Sequence, residues 1–395
     1  MLGFSLLLLL CLCFPYVTPI SFGTDVQPWG VMFATILTTV LLLKGYKFKI
    51  LLTLLFIPII ASILLFPFSD HPFSAFRSIT GYVSIGVIPL AFHYLLKTNY
   101  ENTIMILKFA VIAYMLVALV QTFIYIDFMS FVLNRLVGGG GRGVNSLSTE
   151  PTFYGLICLF LLLTISALEM TNKKLYIYLL LIQIIFLSQS SMTILLLLIF
   201  GFFYVLFRMG PKTIFLGSST CIILFYVVTM SEIDNRAITL ATKLITNPEV
   251  LLLDGSINSR AGNIYFSLKG FFDNYGVPAG FSAFPIYWTS EIAGHDIFFQ
   301  SASSAPIRIM SFYGAMLFEL GLIGALVPIT YSIIIFEAYK DNVRQFLILM
   351  FYINAILFTA VPMSFTLVGM YFGALIFKAE NRIKSNNSDD QLKYS

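Results

Sequence analysis

Residues 151–168 read PTFYGLICLFLLLTISAL, a stretch without a single charged side chain. An apolar run of about 17–25 residues crosses the hydrocarbon core of a bilayer as an α-helix. Similar runs recur along the chain, and the charged residues fall in clusters between them. The sequence therefore predicts an all-α polytopic membrane protein, because helices satisfy their backbone groups internally where water is absent.

The composition of all 395 residues indicates the same class. Hydrophobic residues make up 58% of the chain and charged residues only 11%, whereas soluble domains carry about 25% charged residues. A soluble fold of this size could not cover its surface with so few charges. The strands of a membrane barrel would alternate polar and apolar residues over about ten positions, and runs such as residues 194–200 do not alternate.

The apolar runs predict about twelve transmembrane helices in a single domain, residues 1–384. A polar, disordered cytoplasmic tail follows at residues 385–395. The predicted spans are residues 2–20, 28–43, 50–66, 78–96, 103–125, 151–168, 175–187, 193–207, 213–230, 311–336, 345–361 and 365–377. Two external loops remain, residues 126–150 and residues 231–310, and the apolar content of the second predicts short helices packed against the membrane.

The basic residues predict the orientation. With the N-terminus inside, 15 of the 23 lysines and arginines fall in short cytoplasmic loops and tails, as the positive-inside rule requires. The remaining residues lie outside and are mostly arginines: Arg77, Arg135, Arg142, Arg236, Lys243, Arg260, Lys269 and Arg308. Arginine binds phosphate and carboxylate through a planar fork, so this face indicates an external anionic ligand. Side chains that snorkel from helix ends are the alternative.

The first motif is GGGGRGVNSLSTEPTFYG, residues 138–155. Glycines permit close backbone approach to a ligand, and Arg142 beside Glu150 suits an anion clamp next to a general base. A purely structural interpretation is equally complete. Glu150 would cap the helix that begins at Pro151, and the glycines would form a turn.

Three further motifs interrupt apolar segments. Residues 186–193, FLSQSSMT, predict a helix hairpin whose hydroxyls bond to the backbone. The second loop contains Ser259-Arg260-Ala261-Gly262-Asn263, then Pro278-Ala279-Gly280-Phe281, then His295, which is a candidate base or a surface residue. Residues 318–324, FELGLIG, place Glu319 inside an apolar run. A carboxylate there is costly and is a functional candidate, or else a hydrogen-bonded group that packs helices.

In this order, the four segments resemble the bacterial O-antigen polymerase (Wzy) family, which is related to the O-antigen ligases. The resemblance is carried by Arg142 with Ser-Thr-Glu-Pro before a span and by the Leu-Ser-x-Ser hairpin. It continues through Arg260 with Pro278-x-Gly280 and ends in the segment around Glu319. It covers roughly residues 135–325.

The resemblance implies a GT-C-like, metal-independent membrane glycosyltransferase without a cofactor, in the bacterial cytoplasmic (inner) membrane and with its site on the external face. It would move a glycan from undecaprenyl diphosphate onto the terminal sugar of another lipid-linked repeat unit. A chain-length regulator and a flippase are the partners that it implies. We expect Arg142 and Arg260 to clamp the diphosphate and Glu150, Glu319 or His295 to take the acceptor proton. Arg308, Tyr154 and Tyr265 complete the predicted substrate site.

Two other functions fit the same features. An O-antigen ligase would use the same donor and transfer the glycan to the lipid A core. A transporter or a lipid-linked oligosaccharide flippase would also have about twelve spans, although such proteins usually show internal repeats and charged residues within the bundle. The sequence shows no repeat and places its polar residues mainly in the external loops.

Overall fold

The computed structural model describes residues 2–18, 26–46, 53–69, 72–133, 143–208, 255–292, 309–359 and 361–393. This part of the chain is all-helical, as predicted, and its only β-type pairing is an isolated bridge between Val17 and Leu133. Its α-helices are α1 Leu2–Cys13, α2 Trp29–Leu43, α3 Phe56–Leu65, α4 Pro72–Thr98, α5 Tyr100–Phe123, α6 Pro151–Ala167, α7 Lys173–Ile182, α8 Ser191–Arg208, α9 Gly255–Asp273, α10 Ala283–Ile292, α11 Phe312–Leu320, α12 Leu326–Tyr339, α13 Val343–Thr359 and α14 Thr366–Lys393.

Among the described helices, 2 are long and apolar enough to cross a membrane, Ala75–Thr98 of α4 and Tyr100–Phe123. A bent pair, α11 with α12, would raise the number to 3. Six further apolar helices have 10–17 residues. Each predicted span except residues 213–230, which lie outside the described residues, overlaps a helix. The helical class is therefore confirmed, and the number of spans stays a prediction.

The predicted span over residues 311–336 is wrong as a single helix. The chain bends by 109° between α11 and α12. Gly321 stands at the bend with φ +58°, and a Cβ there would lie 2.1 Å from the carbonyl oxygen of Gly276. Only glycine tolerates both the left-handed backbone and this close approach. The apolar pattern extends across the break, and so it could not reveal the bend.

The central helices α4 and α14 pack closely along their lengths. A Cβ on Gly373 would lie 2.7 Å from the carbonyl oxygen of Pro89, and a Cβ on Gly369 would lie 2.7 Å from Cβ of Ile88. Small residues let two membrane helices approach until their backbones touch. This contact holds the second half of α4 in the middle of the bundle.

Two contacts join helix ends that the sequence predicts to lie on the same side of the membrane. At one end, the rings of Tyr100 and Phe377 stack with centroids 5.6 Å apart. At the other end, the hydroxyl of Thr366 donates to the carbonyl of Leu12 at 2.8 Å. Each pairing joins segments that the basic residues place on the same side. Which of the two ends faces the cytoplasm stays a prediction.

Two segments beyond the main bundle also have defined structure. As predicted, the second external loop contains short helices, α9 and α10, which pack on α11 through a separate cluster of Phe266, Phe284, Trp288 and Phe318. Helix α14 continues to Lys393, whereas the sequence predicted a disordered tail from residue 385. Extending an existing helix is far easier than starting one, which gives a physical reason for this continuation.

Candidate functional site

Glu319 lies one residue before the end of α11, about two turns from the start of that helix. Its side chain is buried, with 8% exposure. The hydroxyl of Tyr82 donates to Oε2 at 2.9 Å, and the hydroxyl of Ser78 donates to Oε1 at 3.2 Å. Both carboxyl oxygens thus accept a hydrogen bond, which a buried acidic group requires.

The two donors lie on one face of α4. Ser78 and Tyr82 are four residues apart and therefore project one above the other on the helix. Arg77 precedes Ser78 and brings a guanidinium to the same end of α4. Further along α4, the hydroxyl of Ser84 donates to the carbonyl of Met363 at 3.2 Å and ties this part of the helix to the segment before α14.

A turn from the second loop holds the end of α11. The backbone N–H groups of Ala279 and Gly280 donate to the carbonyls of Phe318 and Glu319 at 3.1 and 3.2 Å. In addition, the ring of Phe281 packs on Tyr82, with centroids 6.2 Å apart. The Pro278–Phe281 motif and the Glu319 motif, which the sequence identifies separately, are therefore one physical unit.

The other half of the second-loop motif contacts the start of α11. Asn263 accepts a hydrogen bond from the backbone N–H of Met310 at 2.9 Å. Gly262 lies under Trp288, and a Cβ at that position would meet the indole ring at 2.2 Å. Helix α9 thereby carries Arg260 in a position that is tied to α11.

A cavity of about 250 Å³ adjoins Glu319, and we call it the glutamate cavity. Its polar lining consists of Gln27, Arg77, Ser78, Thr80, Ser282, Glu319 and Ser364. Phenylalanines and other apolar residues of α4 and α10 form much of the remaining wall. The volume lies just below the range of about 300–1,000 Å³ that is typical of small-molecule sites. A carboxylate, a guanidinium and hydroxyls in one recess can bind a polyol beside an anion.

The first motif forms a different kind of structure. Glu150 occupies the N-cap position of α6, but its side chain makes no capping hydrogen bond. Glu150 thus occupies the predicted cap position without the hydrogen bond of a side-chain cap. Instead, the hydroxyl of Ser148 donates to the carbonyls of Asn145 and Glu150, both at 2.8 Å. Pro151 stands in the first turn, as predicted.

The hairpin packs directly against the first motif. The backbone N–H of Val144 donates to the carbonyl of Leu187 at 3.0 Å, and a Cβ on Gly143 would lie 2.2 Å from the carbonyl oxygen of Ser188. The hydroxyl of Ser188 donates to the carbonyl of Ile184 at 2.9 Å, which confirms the prediction of hydroxyl-to-backbone bonds. We call residues 143–155 with residues 183–193 the glycine–hairpin joint.

Tyr154 lies inside this joint. It is fully buried, and its hydroxyl donates to Oε1 of Gln183 at 2.9 Å. Gln183 opens a stretch of π-helix, Gln183–Ser188. In the described structure Tyr154 thus stabilises packing between α6 and the hairpin. Its predicted contact with substrate stays a prediction.

The remaining predicted residues fall into two groups. Arg260 is half-buried on α9, and Tyr265 on the same helix is 43% exposed. Arg142, His295 and Arg308 lie outside the described residues. The structure therefore places Glu319 in a cavity and Arg260 on the helix beside it, whereas Glu150 and Tyr154 belong to the separate glycine–hairpin joint.

A cluster of charges joins α9 to α10. Nζ of Lys269 lies 2.7 Å from Asp273 and 2.6 Å from Glu291, and the hydroxyl of Tyr287 donates to Asp273 at 2.5 Å. The hydrogen bond from Lys269 lowers the pKa of Asp273, and the same bond is the main cause that raises the pKa of Lys269. This cluster stabilises the pair of helices that covers α11.

The sequence analysis did not identify Ser78 and Tyr82, and it counted Arg77 only as one of the external basic residues. The available signal was their spacing. Positions 77, 78, 81 and 82 place an arginine, a serine, a glycine and a tyrosine on adjoining faces at the start of an apolar helix. Such a polar start is common at a membrane surface, so the pattern alone does not indicate a carboxylate partner.

No protein-family model matches the chain, and no curated protein matches it significantly.

Proposed function

We propose that this chain is a membrane glycosyltransferase that polymerises lipid-linked glycan repeat units. The observation that carries the proposal is the buried carboxylate of Glu319, held by Tyr82 and Ser78, in a cavity that Arg77 also lines. A carboxylate inside an apolar helix is costly. Its position in a cavity with a cation and hydroxyls supports a chemical role over a packing role.

The proposed reaction is a displacement at an anomeric carbon. The hydroxyl oxygen of the acceptor sugar forms a bond to the anomeric carbon of the donor, and the bond from that carbon to the diphosphate breaks. The diphosphate leaves with the electron pair, and Glu319 takes the proton from the acceptor hydroxyl. Negative charge grows on the leaving group, and a fixed guanidinium such as that of Arg77 stabilises it.

Tyr82 and Ser78 act as positioning residues. Their hydroxyls donate to the two carboxyl oxygens of Glu319 and hold the carboxyl group in one position. They also orient the carboxylate toward the cavity. Since both stand on the central helix α4, the orientation is preorganised before substrate arrives, which is the condition for efficient general-base catalysis.

The arginines of the external loops complete the proposal. Arg260 is carried by α9, which is tied to α11 through Asn263 and Met310. We retain the clamp of Arg142 and Arg260 on the diphosphate, with Arg308 and Tyr265 as further substrate contacts and His295 or Glu150 as alternative bases. Planar bidentate bonding makes lysine a poor substitute at such sites.

The proposed setting is the bacterial cytoplasmic membrane, with about twelve spans in a GT-C-like arrangement and the site on the external face. The pairing of same-side segments in the bundle supports this topology, because it keeps the glutamate cavity at the end opposite the predicted cytoplasmic lysines. The substrates are undecaprenyl-diphosphate-linked oligosaccharides, which carry their own activated bond, so that no external nucleotide is needed.

The test is complementation of a polymerase-null strain with the full chain and with Glu319→Gln. The substitution keeps the shape and removes the base, and we expect polymer formation to fall by about 100-fold or more. Glu101→Gln, in the exposed first turn of α5, is the matched control and should behave as wild type. A wild-type chain that restores no polymer, while single repeat units still reach the surface, contradicts the proposal.

A knockout of the gene that encodes this chain separates the two enzyme alternatives. Loss of a polymerase leaves single capped repeats on lipid A, whereas loss of a ligase leaves long polymer on the undecaprenyl carrier. An assay of the purified protein in liposomes tests the transporter alternative. Polymer formation without translocation of the substrate would exclude a transporter.

A further inference from the structure

The turn that follows α9 presents large apolar side chains to its surroundings. It consists of residues 272–277, FDNYGV, and we call it the apolar turn. Phe272, Tyr275 and Val277 are 68%, 91% and 62% exposed. Large exposed apolar side chains that lie together mark a contact with another molecule or with lipid. No step of the mechanism proposed above uses these side chains.

Backbone hydrogen bonds hold the apolar turn in one conformation. The N–H groups of Tyr275 and Gly276 donate to the carbonyls of Phe272 and Phe271, both at 2.9 Å. Tyr275 has φ +53°, a left-handed conformation that is unfavourable for a bulky side chain. At 91% exposure, its ring gains almost no contact within the protein in return. A contact outside the protein would compensate for this strained conformation.

The apolar turn lies against the bend between α11 and α12. The backbone N–H of Leu322 donates to the carbonyl of Gly276 at 2.9 Å, and the side chain of Leu322 is 65% exposed. Helix α12 carries its own exposed apolar row, formed by Ile329, Ile333 and Phe336, which share one helix face because they are four and three residues apart. The apolar turn therefore adjoins the end of a helix whose outer face suits lipid.

Helix α12 is too short to cross a bilayer by itself. At a rise of 1.5 Å per residue, its 14 residues span about 21 Å, whereas the hydrocarbon core is about 30 Å thick. Lys340 follows directly after α12 and marks one end of the span. At the other end the chain bends by 109°, so α12 cannot supply the missing apolar length there. Leu322 and the apolar turn lie at that end.

We propose that the apolar turn inserts into the membrane leaflet on the side of the glutamate cavity. Phe272, Val277 and Leu322 contact the acyl chains, and Tyr275 lies at the level of the headgroups, where tyrosine is enriched in membrane proteins. Asp273, the one charged residue of the turn, pairs with Lys269 of α9. The inference rests on the membrane setting of the proposed function and is independent of the glycosyl transfer.

Insertion of the turn also sets the depth of the glutamate cavity. The apolar turn runs directly into Pro278, and the next two N–H groups, those of Ala279 and Gly280, donate to the carbonyls of Phe318 and Glu319. The segment that holds the end of α11 is thus joined to the segment that enters the lipid. The membrane surface thereby becomes a positioning element for the cavity.

The test places a tryptophan in the apolar turn of the full-length protein, reconstituted in phosphatidylcholine vesicles. Tyr275→Trp keeps an aromatic ring at the exposed position, and wild-type protein measures the background of the two native tryptophans. We expect lipids with a spin label on the acyl chain near the headgroup to quench the added fluorescence about twofold or more. The water-soluble quencher acrylamide should have a weaker effect.

Ser290→Trp is the matched control in the same external loop. Ser290 is exposed on α10 and precedes Glu291, which binds Lys269 in the charge cluster, so this position should face water. We expect acrylamide to quench the added tryptophan more strongly than the labelled lipid does. Phe272→Trp provides a second position in the turn if Tyr275→Trp does not fold, and the same result is expected for it.

Two results would overturn the inference. One is stronger quenching in the apolar turn by acrylamide than by labelled lipid. The other is equal lipid quenching in the turn and at Ser290, which would show a loop that rests on the surface without insertion of the turn. Quenching needs no turnover, so the two proposals fail separately. Lipid quenching in a protein that makes no polymer would refute the polymerase and keep the inserted turn, and normal polymerisation with quenching by acrylamide alone would do the reverse.

Discussion

The glycine–hairpin joint and the glutamate cavity begin from the same kind of sequence signal, and the folded chain uses the signal in opposite ways. In both regions, glycines and hydroxyl side chains interrupt apolar runs. In the joint, the hydroxyls bond to nearby backbone carbonyls. In the cavity, they face a carboxylate and an open space. A polar residue in an apolar run thus indicates either a packing contact between helices or a functional site. The segment that packs against the residue determines which of the two forms.

The two regions differ in how far apart along the chain their hydrogen-bonded residues lie. Within the joint, Tyr154 and Gln183 are 29 residues apart, and Ser190 and Thr152 are 38 apart. At the cavity, Glu319 is 237 residues from Tyr82 and 241 from Ser78. Loop-closure entropy grows slowly with the length of chain between two partners, so the distant pair costs about 2 kcal/mol more than the local pairs and depends on the other contacts of the bundle.

The largest expected effect is that of Gly321→Ala, which should prevent the bend between α11 and α12. A Cβ would meet the Gly276 carbonyl at 2.1 Å, and the positive φ adds strain. We expect a loss of stability of roughly 3 kcal/mol or more and loss of activity, measured by thermal unfolding in detergent and by polymer formation. Gly201→Ala, with open space around it, is the control. Equal stability of both variants would contradict the close approach.

Gly143→Ala tests the joint in the same way, because its Cβ would lie 2.2 Å from the Ser188 carbonyl oxygen. We expect the free energy of unfolding to fall by about 2–3 kcal/mol. Polymer per folded molecule should stay close to normal, because Glu319, the base in the proposed reaction, lies outside the joint. Gly3→Ala, which has open space, serves as the control. If polymer per folded molecule falls as steeply as stability, the joint belongs to the active site and the comparison between the two regions fails.

A pair of tyrosine substitutions sharpens the contrast further. Tyr82→Phe removes a donor to the buried Glu319, and we expect polymer formation per folded molecule to fall about tenfold, with a loss of stability of about 1–3 kcal/mol. Tyr154→Phe removes the donor to Gln183 and should lower stability by about 1 kcal/mol while leaving activity per folded molecule unchanged. Assays of both variants under one set of conditions check this. The reverse pattern would exchange the roles of the two regions.

The smallest expected effect concerns the charge cluster on α9. The lowered pKa of Asp273 means that its pairing with Lys269 stabilises the protein above pH 3.8 and is lost as pH falls through the lowered value. The group is largely exposed, so the change should be small. We expect the stability difference between wild type and Lys269→Met to narrow between pH 6 and pH 3. A constant difference would show that the Lys269–Asp273 pair within α9 does not contribute to stability.

The sequence alone could identify several residues of the candidate site, but it could not identify the residues that contact them. Glu319 could be identified because a carboxylate in an apolar run is costly wherever the run folds. The turn at Pro278–Phe281 could be identified as a motif, but not as the segment whose N–H groups bond to Phe318 and Glu319. Tyr154 was predicted to bind substrate because it lies in the first motif, yet its hydroxyl points to Gln183.

By itself, the sequence determined the all-helical class and most helix positions, because a backbone without water around it must bond internally. The basic residues also predict on which side each helix end lies, and the contacts of Tyr100 with Phe377 and of Thr366 with Leu12 agree with that prediction. Only the tertiary structure decided that α4 supplies Ser78 and Tyr82 to Glu319, and that the apolar pattern of residues 311–336 breaks at Gly321. Hydrophobicity reports how a residue interacts with its solvent, and it carries no record of which distant helix will pack beside it.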